Sequence, residues 1–120
     1  MAKTGLSYRS RLVSNALMKH FLLTYALAPE YLDRRPAFRA EHLARAQAAA
    51  GRGELLLGGA VAGPDGDPPA EALLLFAAES PHAAEAFAVG DPYITNGLVA
   101  AWRVREWVTV VGEAAAQPIT

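Results

Sequence analysis

Residues 70–78 read AEALLLFAA, an apolar run of strand length that follows the turn-forming segment GPDGDPP at residues 63–69. In an extended chain Leu73 and Leu75 point to one face and Leu74 to the other. An antiparallel strand with one face in water alternates apolar with polar residues, and this run does not. The pattern therefore predicts a strand that is covered on both sides.

The segments on either side of this run complete an α+β pattern. Asp33 and Ser80 are typical N-caps, and each precedes a stretch of helical composition. The predicted order is a strand at 19–26, a helix at 33–50, strands at 54–62 and 70–78, a helix that follows Ser80 and Pro81, and a strand at 98–111. This βαββαβ order predicts a ferredoxin-like α+β fold, a four-stranded antiparallel sheet with two helices on one face.

The predicted helices cover one face of the sheet, so the other apolar face needs a separate cover. Helices on one face leave the apolar side chains of the other face in water. A second copy of the chain is the simplest cover, because a two-fold contact uses one self-complementary surface. We therefore expect a homodimer of the dimeric α+β barrel type. The N-terminal arm is the alternative cover.

The composition of the chain excludes several classes of function. The chain has 120 residues, of which 52% are hydrophobic and 19% charged, so it can bury the core of a single domain. Its formal net charge of −1 argues against nucleic acid or an acidic membrane as partner, because both need a basic surplus. With no cysteine, disulfides and thiolate catalysis are excluded, and a soluble, cytoplasmic protein is expected.

The predicted domain spans residues 19–112. Residues 1–18 form an extension with basic residues and no acidic ones, a composition that organelle transit peptides share. A helical arm, or an ancestral start at Met18, explains the same composition. Residues 113–120 are expected to form a frayed tail.

One flank of the first predicted helix carries ionisable side chains. On a helical wheel centred on Leu43, the opposite side holds Arg45, while Arg35, Arg39 and His42 share one edge at spacings i, i+4 and i+7. Two guanidinium groups beside an imidazole suit a small carboxylate or phenolate. The alternative interpretation is a solvated helix flank with a histidine at its border.

A second feature is Asp91-Pro92-Tyr93, followed by Gly97. Aspartate as N-cap, proline at the first position and glycine past the end describe one short capped turn. The functional alternative is that the Asp91 carboxylate meets His42. It would then hold one ring nitrogen and leave the other to transfer a proton.

Three segments resemble motifs of the YCII-related (YciI-like) domain family. They are RAEHLAR at residues 39–45, GELLLGG at 53–59 and DPYITNG at 91–97, in the expected order. The resemblance covers residues 19–111 and implies a dimeric ferredoxin-like fold with a His–Asp active-site pair, which falls on His42 and Asp91. Some relatives have dehydrochlorinase-like activity. Ala60 departs from the proline that often follows the strand in the family.

These patterns lead to one main hypothesis for the function. His42 and Asp91 would perform general acid/base chemistry, and Arg39, Arg35, Tyr93 and Gly59 would bind a small anionic substrate. A lyase, dehalogenase, isomerase or hydrolase step fits, and none of these needs a cofactor. A non-catalytic metabolite-binding or accessory domain, or a purely structural dimer, are the alternatives.

No metal site is predicted, because no HxH, HxxxH or HExxH spacing occurs in the sequence. The pair Gly58-Gly59 lies at a strand before a hairpin, which is not the context of a dinucleotide-binding loop. Close approach of the backbone to the first helix or to a ligand explains these glycines better.

Overall fold

The computed structural model of the chain describes residues 18–119. Residues 1–17, which hold most of the predicted N-terminal extension, and residue 120 lie outside the described part. In chain order the elements are β1 (Lys19–Leu27), α1 (Tyr31–Gly51), β2 (Leu55–Val61), a 3-10 turn (Pro64–Gly66), β3 (Glu71–Ala78), α2 (His82–Gly90), α3 (Pro92–Thr95) and β4 (Val99–Glu106).

The four strands form one antiparallel sheet in the order β2-β3-β1-β4. In the register of its two central strands, Leu22 lies opposite Leu75 and Leu23 opposite Leu74. The order of the elements and of the strands confirms the ferredoxin-like prediction. Among the described residues, no helix is both long and apolar enough to cross a bilayer.

The core lies between the sheet and the helices. Alternate residues of β1 and β3 point to this side, since Phe21, Leu23, Leu74 and Phe76 are all buried. Phe87 of α2 packs on Phe76 with ring centroids 5.6 Å apart. The other buried members of this cluster are Tyr25, Tyr31, Ala49, Leu55, Ala84, Ala88, Tyr93, Leu98 and Val99.

The opposite face of the sheet is also apolar. Leu22, Leu73 and Leu75 are half-buried, and Leu57 of the edge strand β2 is 72% exposed. At one end of this face the C-terminal segment covers His20, whose Nδ1 lies 2.8 Å from Thr109 Oγ1. The two-sided apolar pattern read from residues 70–78 is therefore present in the sheet.

Two predicted boundaries were wrong. The first helix begins at Tyr31 rather than after Asp33, and no side chain caps it. Tyr31 is buried and meets Tyr93 edge to face at 5.7 Å, so tertiary packing sets the start of the helix. Ser80 behaves as expected, since its Oγ accepts a hydrogen bond from the His82 amide at 3.3 Å.

The last strand ends at Glu106 instead of Val111, because it has reached the start of β1, the strand with which it pairs. Glu106 lies opposite Phe21, close to the start of β1. Beyond it the chain bonds to its own tail, with Gln117 N–H donating to Thr109 O at 3.0 Å. Ala115 is buried, so the expectation of a frayed tail was also wrong.

The predicted orientation of the first helix needs correction as well. Leu43, placed at the centre of the buried stripe, is 37% exposed, and Leu32 is equally open. The stripe that faces the protein is instead made by Tyr31, Arg35, Phe38, His42, Arg45 and Ala49. Spacings of three and four residues link its members, so the stripe is helical but largely polar or aromatic.

Buried His20 makes stability depend on pH. Burial lowers its pKa below the ordinary value of 6.5, so below pH 6.5 the unfolded chain binds the proton more readily than the folded chain. This contribution to stability is complete above pH 6.5, and it is lost as the pH falls from there through the folded-state pKa. In urea unfolding, we expect the free energy of unfolding of the wild type to fall relative to that of His20→Gln as the pH drops below 6.5. A difference that stays constant down to pH 5 would contradict this.

Candidate active site

A cavity of about 360 Å³ opens between α1 and the edge of the sheet at β2. One wall is α1, which contributes Arg35, Arg39 and His42. The other wall is β2, including Gly58 and Gly59, and Tyr25 and Tyr93 also line the cavity. Five of the six residues predicted to form a site therefore line one cavity.

The sixth residue, Asp91, lies behind His42 and is fully buried. It follows the last residue of α2 in an extended conformation, and Pro92 then starts α3. Its Oδ1 accepts a hydrogen bond from the Tyr93 amide at 3.0 Å, which is an N-cap. Gly97 closes the turn with a φ of 78°, a left-handed conformation that favours glycine. The capped turn read from the sequence is therefore present.

The same carboxylate also meets two side chains from distant segments. Tyr25 donates its hydroxyl hydrogen to Asp91 Oδ2 at 2.6 Å, and His42 Nδ1 lies 2.8 Å from Asp91 Oδ1. An ionised carboxylate only accepts hydrogen bonds, so this pair requires the His42 hydrogen on Nδ1. The structure thus brings together two residues that are 49 positions apart in the chain.

The imidazole of His42 is held on its faces as well as at Nδ1. The Tyr93 ring stacks on it at 3.8 Å with planes 8° apart, and Phe87 approaches edge to face at 6.4 Å. The side chain keeps 14% of its surface exposed. No hydrogen bond links Nε2 to another described residue, so this nitrogen is available for a proton at the cavity.

The two arginines give the cavity a cationic side. The Arg35 guanidinium lies 5.8 Å from the centre of the Tyr31 ring, and its Nε is buried without an acceptor among residues 18–119. Arg45, which does not line this cavity, also has a buried Nε without an acceptor among the described residues. Arg39 is exposed and follows one turn later on the same wall. Within the described chain no cluster of three His, Asp or Glu side chains has the arrangement of a metal site.

Tyr93 and Tyr25 stay protonated at neutral pH. Burial, followed by the nearby Tyr31, raises the pKa of Tyr93 to about 12, and Arg35 and Arg39 act in the opposite direction. Burial and the hydrogen bond to Asp91 raise the pKa of Tyr25 far above its ordinary value. Tyr25 therefore remains a hydrogen-bond donor to Asp91.

Two residues outside the predicted set of site residues also support the site, Tyr25 and Arg45. Tyr25 shares the inward phase of Phe21 and Leu23, and a tyrosine at a core position needs a partner for its hydroxyl, which is the signal that was available. Arg45 donates a hydrogen bond to Phe87 O at 2.9 Å. A Cβ at Gly90 would lie 2.8 Å from the Arg45 guanidinium, so Gly90 leaves room for that arginine beside Asp91. No local sequence pattern indicates this contact.

The model of the YCII-related domain matches residues 18–108, three quarters of the chain. The chain belongs to the YCII-related domain family. The motifs that carried the resemblance lie on or next to α1, β2 and α3, three of the elements that line the cavity.

Two solved structures are similar to this chain. The chain is similar to 5-chloro-2-hydroxyhydroquinone dehydrochlorinase (TftG) from Burkholderia phenoliruptrix, solved with 2,5-dihydroxybenzoquinone, at 28% identity and a TM-score of 0.62. The alignment covers 75% of this chain and 94% of that one. A NIPSNAP family protein from Agrobacterium tumefaciens aligns at 14% identity with a TM-score of 0.48, over 78% and 93% of the two chains. No curated protein matches significantly.

Removing the Asp91 carboxylate tests how far the fold depends on it. Asp91→Ala leaves the Tyr25 hydroxyl and the Tyr93 amide without their acceptor, so we expect a loss of about 2–4 kcal/mol in the free energy of unfolding. Asp91→Asn keeps an oxygen for His42 and Tyr93 and an amide group that can donate to Tyr25. Its expected loss is about 1 kcal/mol or less.

Urea unfolding of both variants checks this, with the exposed Asp67→Ala as the matched control. Equal losses for the alanine and asparagine variants would contradict a role that rests on hydrogen bonding.

Proposed function

We propose that the protein is an enzyme that performs acid/base chemistry on a small anionic compound, with His42 as the proton-transferring group. The observation that supports this most directly is the His42–Asp91 contact of 2.8 Å at the wall of the cavity. A histidine whose Nδ1 is held by a buried carboxylate presents Nε2 in one tautomer and one orientation. General acid/base chemistry needs such a group.

In this proposal Asp91 positions His42 and does not itself take the proton. Its two oxygens already accept from His42, Tyr93 and Tyr25. When His42 Nε2 takes a proton, the imidazole becomes a cation beside a fixed negative charge, which stabilises it. The stack on Tyr93 keeps the ring from turning away during the transfer.

Arg35 and Arg39 are proposed to bind the negative charge of the substrate. Both guanidinium groups belong to residues that line the cavity, and an anionic oxygen is the acceptor that a guanidinium prefers. Apart from Gln47, the rest of the wall is apolar or aromatic, including Leu55, Leu74 and Tyr93. This combination suits a hydroxylated ring compound in its phenolate form.

The reaction type that we favour is elimination of a hydrogen halide. The dehydrochlorinase from Burkholderia, at 28% identity, supports this choice among the lyase, dehalogenase, isomerase and hydrolase reactions expected from the sequence. In a tautomer whose halogen-bearing ring carbon is tetrahedral, a proton leaves the substrate for His42 Nε2, and its electron pair forms the new double bond. The carbon–halogen bond breaks as halide departs, and His42 then returns the proton to solvent. No electron donor or acceptor is required.

Replacing His42 tests the proposal. In an assay of halide release from chlorinated hydroquinones, we expect His42→Ala to lower kcat by about 10²–10⁴-fold, the usual contribution of a general base. The exposed His82→Ala is the matched control and should retain full activity. Circular dichroism checks that both variants are folded.

A folded His42→Ala protein with unchanged kcat would remove the mechanism. If the wild type binds such compounds without releasing halide, and His42→Ala weakens that binding, the non-catalytic metabolite-binding alternative takes its place.

We also propose that the protein is a homodimer through the open face of the sheet. The half-buried Leu22, Leu73 and Leu75 and the exposed Leu57 support this, because they form an apolar surface on the side that the helices leave uncovered. The cytoplasmic location stays a prediction from the sequence.

A charge at the centre of that face should separate the subunits. We expect light scattering after size exclusion to give a dimer mass for the wild type and a monomer mass for Leu75→Glu. Ala40→Glu, on the exposed side of α1, is the control and should remain a dimer. A wild type that is monomeric at micromolar concentration would contradict the proposal.

A further inference from the structure

The edge strand β2 contains two adjacent glycines, Gly58 and Gly59, in the middle of its paired segment. Glycine inside a strand weakens it, because the unfolded chain loses more conformational freedom and no side chain packs. Neither residue has a positive φ. The backbone conformation of β2 therefore does not require glycine at either position.

Packing within the protein does not require Gly58 either. A Cβ built there would lie 3.6 Å from Leu74 Cγ and 3.9 Å from Leu55 Cδ2, which are ordinary contact distances. Two other glycines differ in this respect. A Cβ at Gly63 would lie 2.4 Å from Asp67 O, and one at Gly90 would meet the Arg45 guanidinium at 2.8 Å. For Gly58 the fold supplies no such reason.

The direction of the missing side chain points to a ligand. Gly58 pairs with Leu74, and Ala60 pairs with Ala72, on the side of the sheet that faces α1. All four line the cavity. A side chain at Gly58 would therefore extend into the cavity, and the small residues together leave β2 with a flat, apolar wall across from His42.

We infer that Gly58 determines substrate specificity, because its bare backbone makes room for a single planar ring against β2. The inference rests on the proposed function and adds to it the residue that decides whether a planar ring fits against β2. The ring would lie along Gly58, Ala60 and Ala72, with its anionic oxygen toward Arg35 and a reacting position toward His42 Nε2.

Calorimetric titration with two probes tests this. The one-ring probe is 2,5-dihydroxybenzoquinone, and the two-ring probe is 2-hydroxy-1,4-naphthoquinone. We expect the wild type to bind the one-ring probe more tightly. Gly58→Ala should weaken its binding about tenfold or more, since one added methyl group in a fitted pocket has an effect of this size. Gly58→Val should abolish binding.

Thermal unfolding separates this role from a structural one. Gly58→Ala and Gly58→Val should melt at or above the wild-type temperature, because both side chains fit the strand. Gly51→Ala, at the end of α1 and outside the cavity lining, is the control for a glycine replacement and should bind as the wild type does.

The inference is overturned if the Gly58 variants bind the one-ring probe as the wild type does. It is also overturned if these variants melt well below the wild-type temperature, or if the wild type binds neither probe. The His42→Ala experiment is independent of these results. Unchanged binding by the Gly58 variants together with lost turnover in His42→Ala would end the inference and leave the proposed function in place.

Discussion

The buried carboxylate of Asp91 is the constraint on which the rest of the site depends. A charge removed from water is tolerated only when donors surround it. Here the donors come from three separate elements, Tyr25 on β1, His42 on α1 and the Tyr93 amide at the start of α3. Each bond ties one element to the same point. The carboxylate therefore holds the helices against the sheet and orients the imidazole in one step.

This constraint also explains why α1 presents an unusual face to the protein. An amphipathic helix normally buries aliphatic side chains. The inward stripe of α1 instead includes Arg35, His42 and Arg45, because it meets a carboxylate, a cavity and the end of α2 rather than a closed core. Leu43 is moved to the flank. Hydrophobicity alone could not identify this stripe, since the partners of its polar residues are supplied by other elements.

Both faces of the sheet are apolar, but they have different roles. Its helix side combines a packed core at Phe21, Leu23 and Phe76 with an open cavity beside β2, where glycine and alanine replace large side chains. Its other side carries leucines that the helices leave uncovered. A bulge in β2 between Leu55 and Leu57 shifts its register against β3 next to the cavity. Leu55 therefore lies on the helix side of the sheet and Leu57 on the other side.

The order of the elements, the two-sided apolar sheet and the capped turn at Asp91 were predictable from the sequence, because they follow from local propensity and from periods of two and 3.6 residues. The resemblance to family motifs added the pairing of His42 with Asp91. Three features became visible only once distant segments had packed together: Tyr25 completes the pair, Arg45 points inward, and α1 begins at Tyr31. The same packing also ended β4 at Glu106. Each of these depends on a partner far away in the chain, and no local pattern encodes such a contact.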